Sequence, residues 1–143
     1  MCPKCRQQSL KQKYVSEMNL TVDCCPRCKG IGFDGGELNQ AMAEADRHLL
    51  IPRDAVRLQA LCPACGRPLF AFPYPGTRVV IEMCGKCGGL WLDAGEFAEI
   101  RQARRQLEER QTPAERAEPA GVKGALIRFI AAAIERLMTD STY

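Results

Sequence analysis

The sequence predicts a small α+β fold stabilised by metal, built from two tandem copies of one unit and followed by an amphipathic helix. Three observations predict it. Nine cysteines stand in 143 residues, and eight of them fall into four CxxC pairs. The sequence around those pairs repeats. CPKCRQQSL (2–10) matches CPACGRPLF (62–70), and CPRCKGIGFDGGEL (25–38) matches CGKCGGLWLDAGEF (84–97), at offsets of 60 and 59 residues. Near the end, Val122, Leu126, Phe129, Ala133, Ile134 and Leu137 form an apolar stripe at helical spacing.

The repeat assigns the segments. Residues 1–50 form the first unit, 51–61 a connector with some helical character, and 62–111 the second unit. Residues 112–121 (TPAERAEPAG) form a linker with two prolines, and 122–138 a helix. Each unit reads as a CxxC turn, a hairpin, a second CxxC turn and a helix. In the second unit LFAFPY and TRVVIEM flank a Pro75-Gly76 turn, and Val79, Ile81 and Met83 alternate with Val80 and Glu82 as a strand does. LKQKYV and MNLTVD hold the same places in the first unit. Asp34 with Glu37, and Asp93 with Glu96, have the spacing of a capping box and predict helix starts. The first helix shows Leu38, Ala41, Ala45 and Leu49 on one face. The second shows Phe97, Ile100 and Leu107, with Arg101, Arg104 and Arg105 toward solvent.

Composition narrows the classes. Aromatic residues make up 6% of the chain, with 12 Gly and 9 Pro. Such a chain is expected to bury little core, so that metal coordination takes its place. MCPKCRQQSL carries no apolar leader. A reducing, cytoplasmic location is therefore expected, where clustered cysteines bind metal rather than form disulfides. ALIRFIAAAIERLM is interrupted by Arg128 and Glu135, and is too short and too charged for a transmembrane segment. The formal net charge is +3. Two zinc-loaded four-thiolate sites add −4 and leave about −1, so the basic pI argues only weakly for nucleic acid.

The candidate metal ligands are Cys2, Cys5, Cys25 and Cys28 in the first unit and Cys62, Cys65, Cys84 and Cys87 in the second. The spacings, CxxC-x19-CxxC and CxxC-x18-CxxC, suit two structural zinc ions, one per site, because tetrahedral zinc takes four thiolates from two turns. Iron–sulfur clusters and rubredoxin-like iron also take four thiolates, and spacing alone leaves them open. A catalytic zinc keeps an open position, usually beside His or carboxylate, and the chain has 1 His. No catalytic residue and no further cofactor is expected. Cys24, beside Cys25, reads as a small strand-end residue or as a redox-sensitive thiol. His48 reads as a helix-terminus or packing residue.

These motifs resemble the TFIIB-type zinc-ribbon family. The second unit is the closer match, with CPACGRPL, Gly88-Gly89, Trp91-Leu92-Asp93 and Gly95-Glu96 in the family's places. The first unit departs from it: Lys29 stands where the first glycine belongs, and Gly32 where the tryptophan does. The resemblance covers about two-thirds of the chain. It implies two tandem zinc ribbons with cysteine-only ligation, and little about biological role. Leu90 and Leu92 are expected under the helix after Asp93, with Trp91 against its own hairpin or the neighbouring unit.

Three functions remain. The first is a non-enzymatic zinc-binding interaction or adaptor protein, with helix 122–138 docking on a protein partner, on a second copy, or on the ribbons themselves. The second is nucleic-acid binding in transcription or translation, supported by Arg101, Arg104, Arg105 and Arg110 but opposed by Glu99, Glu108 and Glu109 on the same helix. The third is a thiol redox sensor centred on Cys24.

Overall fold

The computed structural model describes residues 1–35, 50–74, 77–110 and 125–139. The expected first helix with Glu37 and His48, the Pro75-Gly76 turn, the linker 112–121 and Val122 lie outside the described residues.

Each unit lifts from its first CxxC turn into an antiparallel hairpin. In the first, β1 (Lys11–Val15) pairs with β2 (Leu20–Cys24), from Lys11↔Cys24 to Val15↔Leu20. Asn19, with φ 48, closes the short 3-10 turn between them. In the second unit the strands are Pro68–Pro73 and Val80–Cys84, from Leu69↔Cys84 to Pro73↔Val80. After each second CxxC turn comes a short strand that the hairpin pattern does not foretell, Ile31–Phe33 and Leu90–Leu92. In chain order the strands are β1, β2, β3 (Ile31–Phe33), β4 (Val56–Leu61), β5 (Pro68–Pro73), β6 (Val80–Cys84) and β7 (Leu90–Leu92).

β4 corrects the helical character expected in the connector 51–61: its second half, Val56–Leu61, is a strand. Val56, Leu58 and Ala60 alternate with Arg57 and Gln59, a period of two. β4 pairs with β5 through Val56↔Ala71, Arg57↔Phe70 and, beyond a register shift, Leu61↔Pro68. β4 lies just ahead of the repeated segment that starts at Cys62, so the repeat carries no hint of it.

The two units share one sheet of seven strands, in the order β1-β2-β3-β7-β6-β5-β4. The seam is the antiparallel pairing of β3 with β7: Ile31↔Leu92, Gly32↔Trp91 and Phe33↔Leu90. Gly32 and Trp91 are equivalent positions of the repeat, 59 residues apart, and they face each other. The repeat is thus closed on itself about a local two-fold axis, as identical subunits would be in a symmetric dimer.

Asp93 and Glu96 form the expected capping box; the Asp93 backbone N–H donates to Glu96 Oε2 at 3.1 Å. A 3-10 turn over Ala94–Glu96 then leads into α1 (Phe97–Arg110). Phe97, Ile100 and Ala103 are buried, and Leu107 packs half-buried beside them. The described C-terminal helix, α2, runs Ala125–Thr139. It packs against α1 and β1, and Phe129 meets Phe33 with ring centroids 6.1 Å apart.

Alternation along the strands sends side chains to two faces. On the helix side, Leu20 and Val22 of β2, Ile31 and Phe33 of β3, Ile81 of β6, and Leu90 and Leu92 of β7 join Phe97 and Ile100 of α1 and Ile130 and Ile134 of α2 in one buried cluster. This corrects the expectation of a meagre core. Joining two half-sheets and covering them with α2 gives a continuous aliphatic interior. Each fully buried Leu or Ile adds about 1.5–3 kcal/mol. The aromatic fraction understated it because aliphatic residues do the packing. The other face carries the second buried cluster, with Trp91, Leu69 and the cysteines of the CxxC turns.

Candidate metal centres

All four CxxC turns have one design. The first cysteine's N–H donates to a carbonyl further on, and its carbonyl accepts from the residue after the second cysteine. Thus Cys25 N donates to Gly30 O and Lys29 N to Cys25 O, both at 3.0 Å. Cys84 N donates to Gly89 O at 2.9 Å and Gly88 N to Cys84 O at 3.0 Å. The residue after the second cysteine turns left-handed each time: Arg6 φ 58, Lys29 φ 63, Gly66 φ 73, Gly88 φ 75. The second unit places glycine at both such positions, where it is least strained. The first unit holds them with Arg6 and Lys29.

The turns bring the sulfurs together in fours. Cys2 and Cys28 Sγ stand 3.6 Å apart and Cys5 and Cys25 3.9 Å. In the second group Cys62 and Cys87 are 3.6 Å apart and Cys65 and Cys84 3.3 Å. Tetrahedral zinc with Zn–S bonds of about 2.3 Å sets sulfurs about 3.8 Å apart, so both groups fit it. A disulfide needs about 2.05 Å, and all nine cysteines are free thiols. The structure brings together every one of the eight cysteines marked by the sequence, in the expected fours.

The electrostatics suit a cation. Burial pushes the Cys25 thiol up, but N–H groups of Cys28 and Arg27 outweigh it and bring it down to about 7. N–H groups of Cys87 and Lys86 do the same for Cys84 against burial, again to about 7. Cys28 and Cys62 are pushed up to about 12, by burial first and by neighbouring cysteines after it. Four thiolates this close repel one another, and a divalent ion at their centre lets all four ionise.

Cys24 stands apart. It is 4% exposed, its side chain enters the helix-side core, and burial pushes its thiol up to about 11. The strand-end reading of it holds.

Between the cages lies Trp91, 0% exposed and clustered with Cys2 and Cys25 of one site and Cys62 and Cys84 of the other. Its ring covers Gly30 and Gly32 of the first unit. A Cβ on Gly30 would overlap the ring, and one on Gly32 would lie 3.2 Å from Cε3. The glycine that breaks the family pattern in the first unit therefore makes room for the tryptophan that keeps it in the second. Two tryptophans cannot share the axis. Trp91 Nε1 donates to Asp93 Oδ1 at 3.1 Å.

Sequence reasoning missed Lys4. It lies between two ligands of the first cage, yet its Nζ reaches the second unit, 2.6 Å from Glu82 Oε1 and 3.4 Å from Asp93 Oδ2. Glu82, Asp93 and Glu96 approach within 4.8 Å of one another, and burial raises the Glu96 carboxyl to about 7. The only signal in the sequence was a charged residue inside a CxxC turn, which is ordinary.

A zinc ribbon is defined by this arrangement of two CxxC turns, a hairpin and a closed four-cysteine site, and the chain carries two. The family described as transcription factor zinc-finger, the TFIIB-type zinc ribbon, matches residues 1–44 and 61–103, and the chain belongs to it. Comparisons with curated proteins and with solved structures return no match. The family and the geometry together give two zinc ions, one per cage. The eight cysteines would hold them, and the ions would supply rigidity and folding energy.

Of the three placements expected for the C-terminal helix, its described part takes the one on the chain's own ribbons. The apolar stripe of α2 is spent inside the chain: Leu126, Ile127, Ile130, Ile134 and Leu137 are buried. Arg104 pairs with Glu135 of α2 and approaches Glu108 at 3.9 Å, so it is no free cation. Among the described residues no helix is long and apolar enough to cross a membrane.

Proposed function

We propose that this protein is a non-enzymatic, zinc-stabilised interaction module. The observation that carries this reading is the closure of both cages. Four cysteine sulfurs converge at each, which leaves tetrahedral zinc no position for water or substrate. The cleft between the first CxxC turns of the two units supplies a surface for a protein partner. It encloses about 600 Å³ and is lined by Met1, Pro3, Gln59, Leu61 and Pro63 among others. Met1 is 68% and Leu61 51% exposed, an apolar rim of the kind that partner surfaces cover.

Affinity capture under reducing, zinc-replete conditions, with a C-terminal tag, tests this. A stoichiometric protein is expected to be retained, to rebind the purified chain, and to be lost with Leu61→Asp while two zinc ions stay bound. Retention undiminished by Leu61→Asp, or no stoichiometric partner, contradicts it.

The family's description and the exposed Arg6, Arg27, Arg67 and Lys86 on the CxxC turns favour nucleic acid as a second reading. Those cations also stand beside two cages that each carry −2 when zinc is bound, which offsets them locally. Binding to DNA or RNA that weakens steeply with salt would support this reading; none at low salt would remove it.

A further inference from the structure

We propose that the two zinc sites load cooperatively, coupled through Lys4 and Trp91. Lys4 sits between the ligands Cys2 and Cys5 of the first cage, and its ammonium bonds Glu82, two residues before the ligand Cys84 of the second. The Glu82 side chain is 6% exposed, and its Oε2 makes no hydrogen bond among the described residues. Lys4 is thus the charge that offsets a buried carboxylate in the other unit. A second link runs through the seam. Trp91 lies two residues after Gly89, whose carbonyl accepts from Cys84 N of the second cage. Its ring lies on Gly30, whose carbonyl accepts from Cys25 N of the first. A third is steric: Gly35 of the first unit is pressed against the carbonyl of the ligand Cys87, where a Cβ would overlap it.

The first CxxC turn buries Cys2 and Pro3, is closed by its own short-range bonds, Cys2 N to Gln8 O and Arg6 N to Cys2 O, and reaches the second unit only through Lys4 among its charged side chains. Arg6 and Gln7 on it are exposed, and Met1 before it is too. A turn of this kind is ordered by its ion. When the first cage is empty, Lys4 is no longer held against Glu82, and the Glu82 carboxylate is left buried without its counter-charge. The ring of Trp91 loses the wall formed by Gly30. The second cage is then built on a strand carrying an uncompensated charge, and its affinity for zinc falls. Linkage makes the effect reciprocal: whichever ion binds first tightens the site for the other. Couplings of this type run from about 5- to 150-fold, and about tenfold is expected here.

The test is an anaerobic titration of the metal-free full-length chain with zinc, read by native mass spectrometry. Two equal, independent sites give a one-metal population of about half at half-loading, and tenfold coupling cuts it to about a quarter. The wild-type chain is expected at or below that quarter. Lys4→Met is expected to raise the one-metal species from about a quarter toward half, while Lys4→Arg keeps it low. Arg27→Met, which removes an exposed cation beside the same cage, is expected to leave it low. If Lys4→Met does not fold, Cys2→Ser with Cys5→Ser removes the first site. Chelator competition should then show about tenfold weaker zinc at the second. A wild-type one-metal population of half or more, an unchanged population in Lys4→Met, or an unaltered second site in the double variant overturns the proposal.

Discussion

A left-handed backbone follows the second cysteine of every CxxC turn, and each residue's tolerance of it decides what a substitution there does. Gly88 has φ 75 and room for a methyl group, since the nearest atoms to a Cβ there would lie at 4.0 Å. Gly88→Ala is therefore opposed by strain alone and is expected to cost about 1–2 kcal/mol, read as a lower denaturant midpoint at saturating zinc. An unchanged midpoint would mean that the turn relaxes. Arg6 and Lys29 meet the same demand without glycine, so no sequence rule marks their turns as left-handed; the ligand pairs themselves were legible from spacing. Glu96 offers a pH-dependent prediction. Burial raises its carboxyl from 4.5 to about 7, so the folded state holds that proton more tightly than the unfolded chain. Its contribution is fully present below about 4.5 and is lost as pH rises through about 7. Glu96→Gln keeps an acceptor for the cap and removes the titration. The variant's stability relative to wild type is expected to rise between pH 5 and about 8; a pH-independent difference would contradict this.

The element on which the architecture turns is the three-residue seam. β3 and β7 are too short to read as strands from alternation, and IGF and LWL look like the ends of metal turns. Their pairing is set by the repeat itself, since each unit presents the same edge and an antiparallel pair of equal edges closes on an axis. The departure of Gly32 from the family pattern was visible in the sequence. Its reason was not, because it depends on a residue 59 positions away that reaches it only across the seam. Gly32→Trp, which restores the repeat, is expected to force two indoles onto one axis and to cost about 3 kcal/mol, measured by denaturation with zinc bound. Little or no loss would mean that the seam is not as tightly packed as Trp91 over Gly30 and Gly32 implies. The capping box at Asp93 and the Phe97 and Ile100 face of α1 were legible because both are local. β4 was missed although its alternation is plain, since it lies ahead of the repeated segment, in what the repeat marks as a connector.

For the molecule as a whole, metal and core share the work. The two cages hold one face of the sheet and its turns, and the aliphatic cluster under α1 and α2 holds the other. Composition concealed that division, because it counts residues without saying that two half-sheets will join. The role of α2 is a covering one, so deleting residues 121–143 is expected to bare Phe33 and the apolar face of α1. The shortened chain should then bind a hydrophobic dye and self-associate. A monomer of unchanged stability that binds no dye would contradict this. Cys24 belongs to the same interior and is expected to resist alkylation until the fold opens; fast labelling in the zinc-loaded state would contradict its burial. The account rests above all on two closed sulfur cages, each with its own ion. X-ray absorption at the zinc edge, with the metal counted by native mass spectrometry, tests that most directly. The expected result is two zinc ions per chain, each with four sulfur neighbours at about 2.3 Å. Nitrogen or oxygen in the inner coordination, or fewer than two ions per chain, would contradict it.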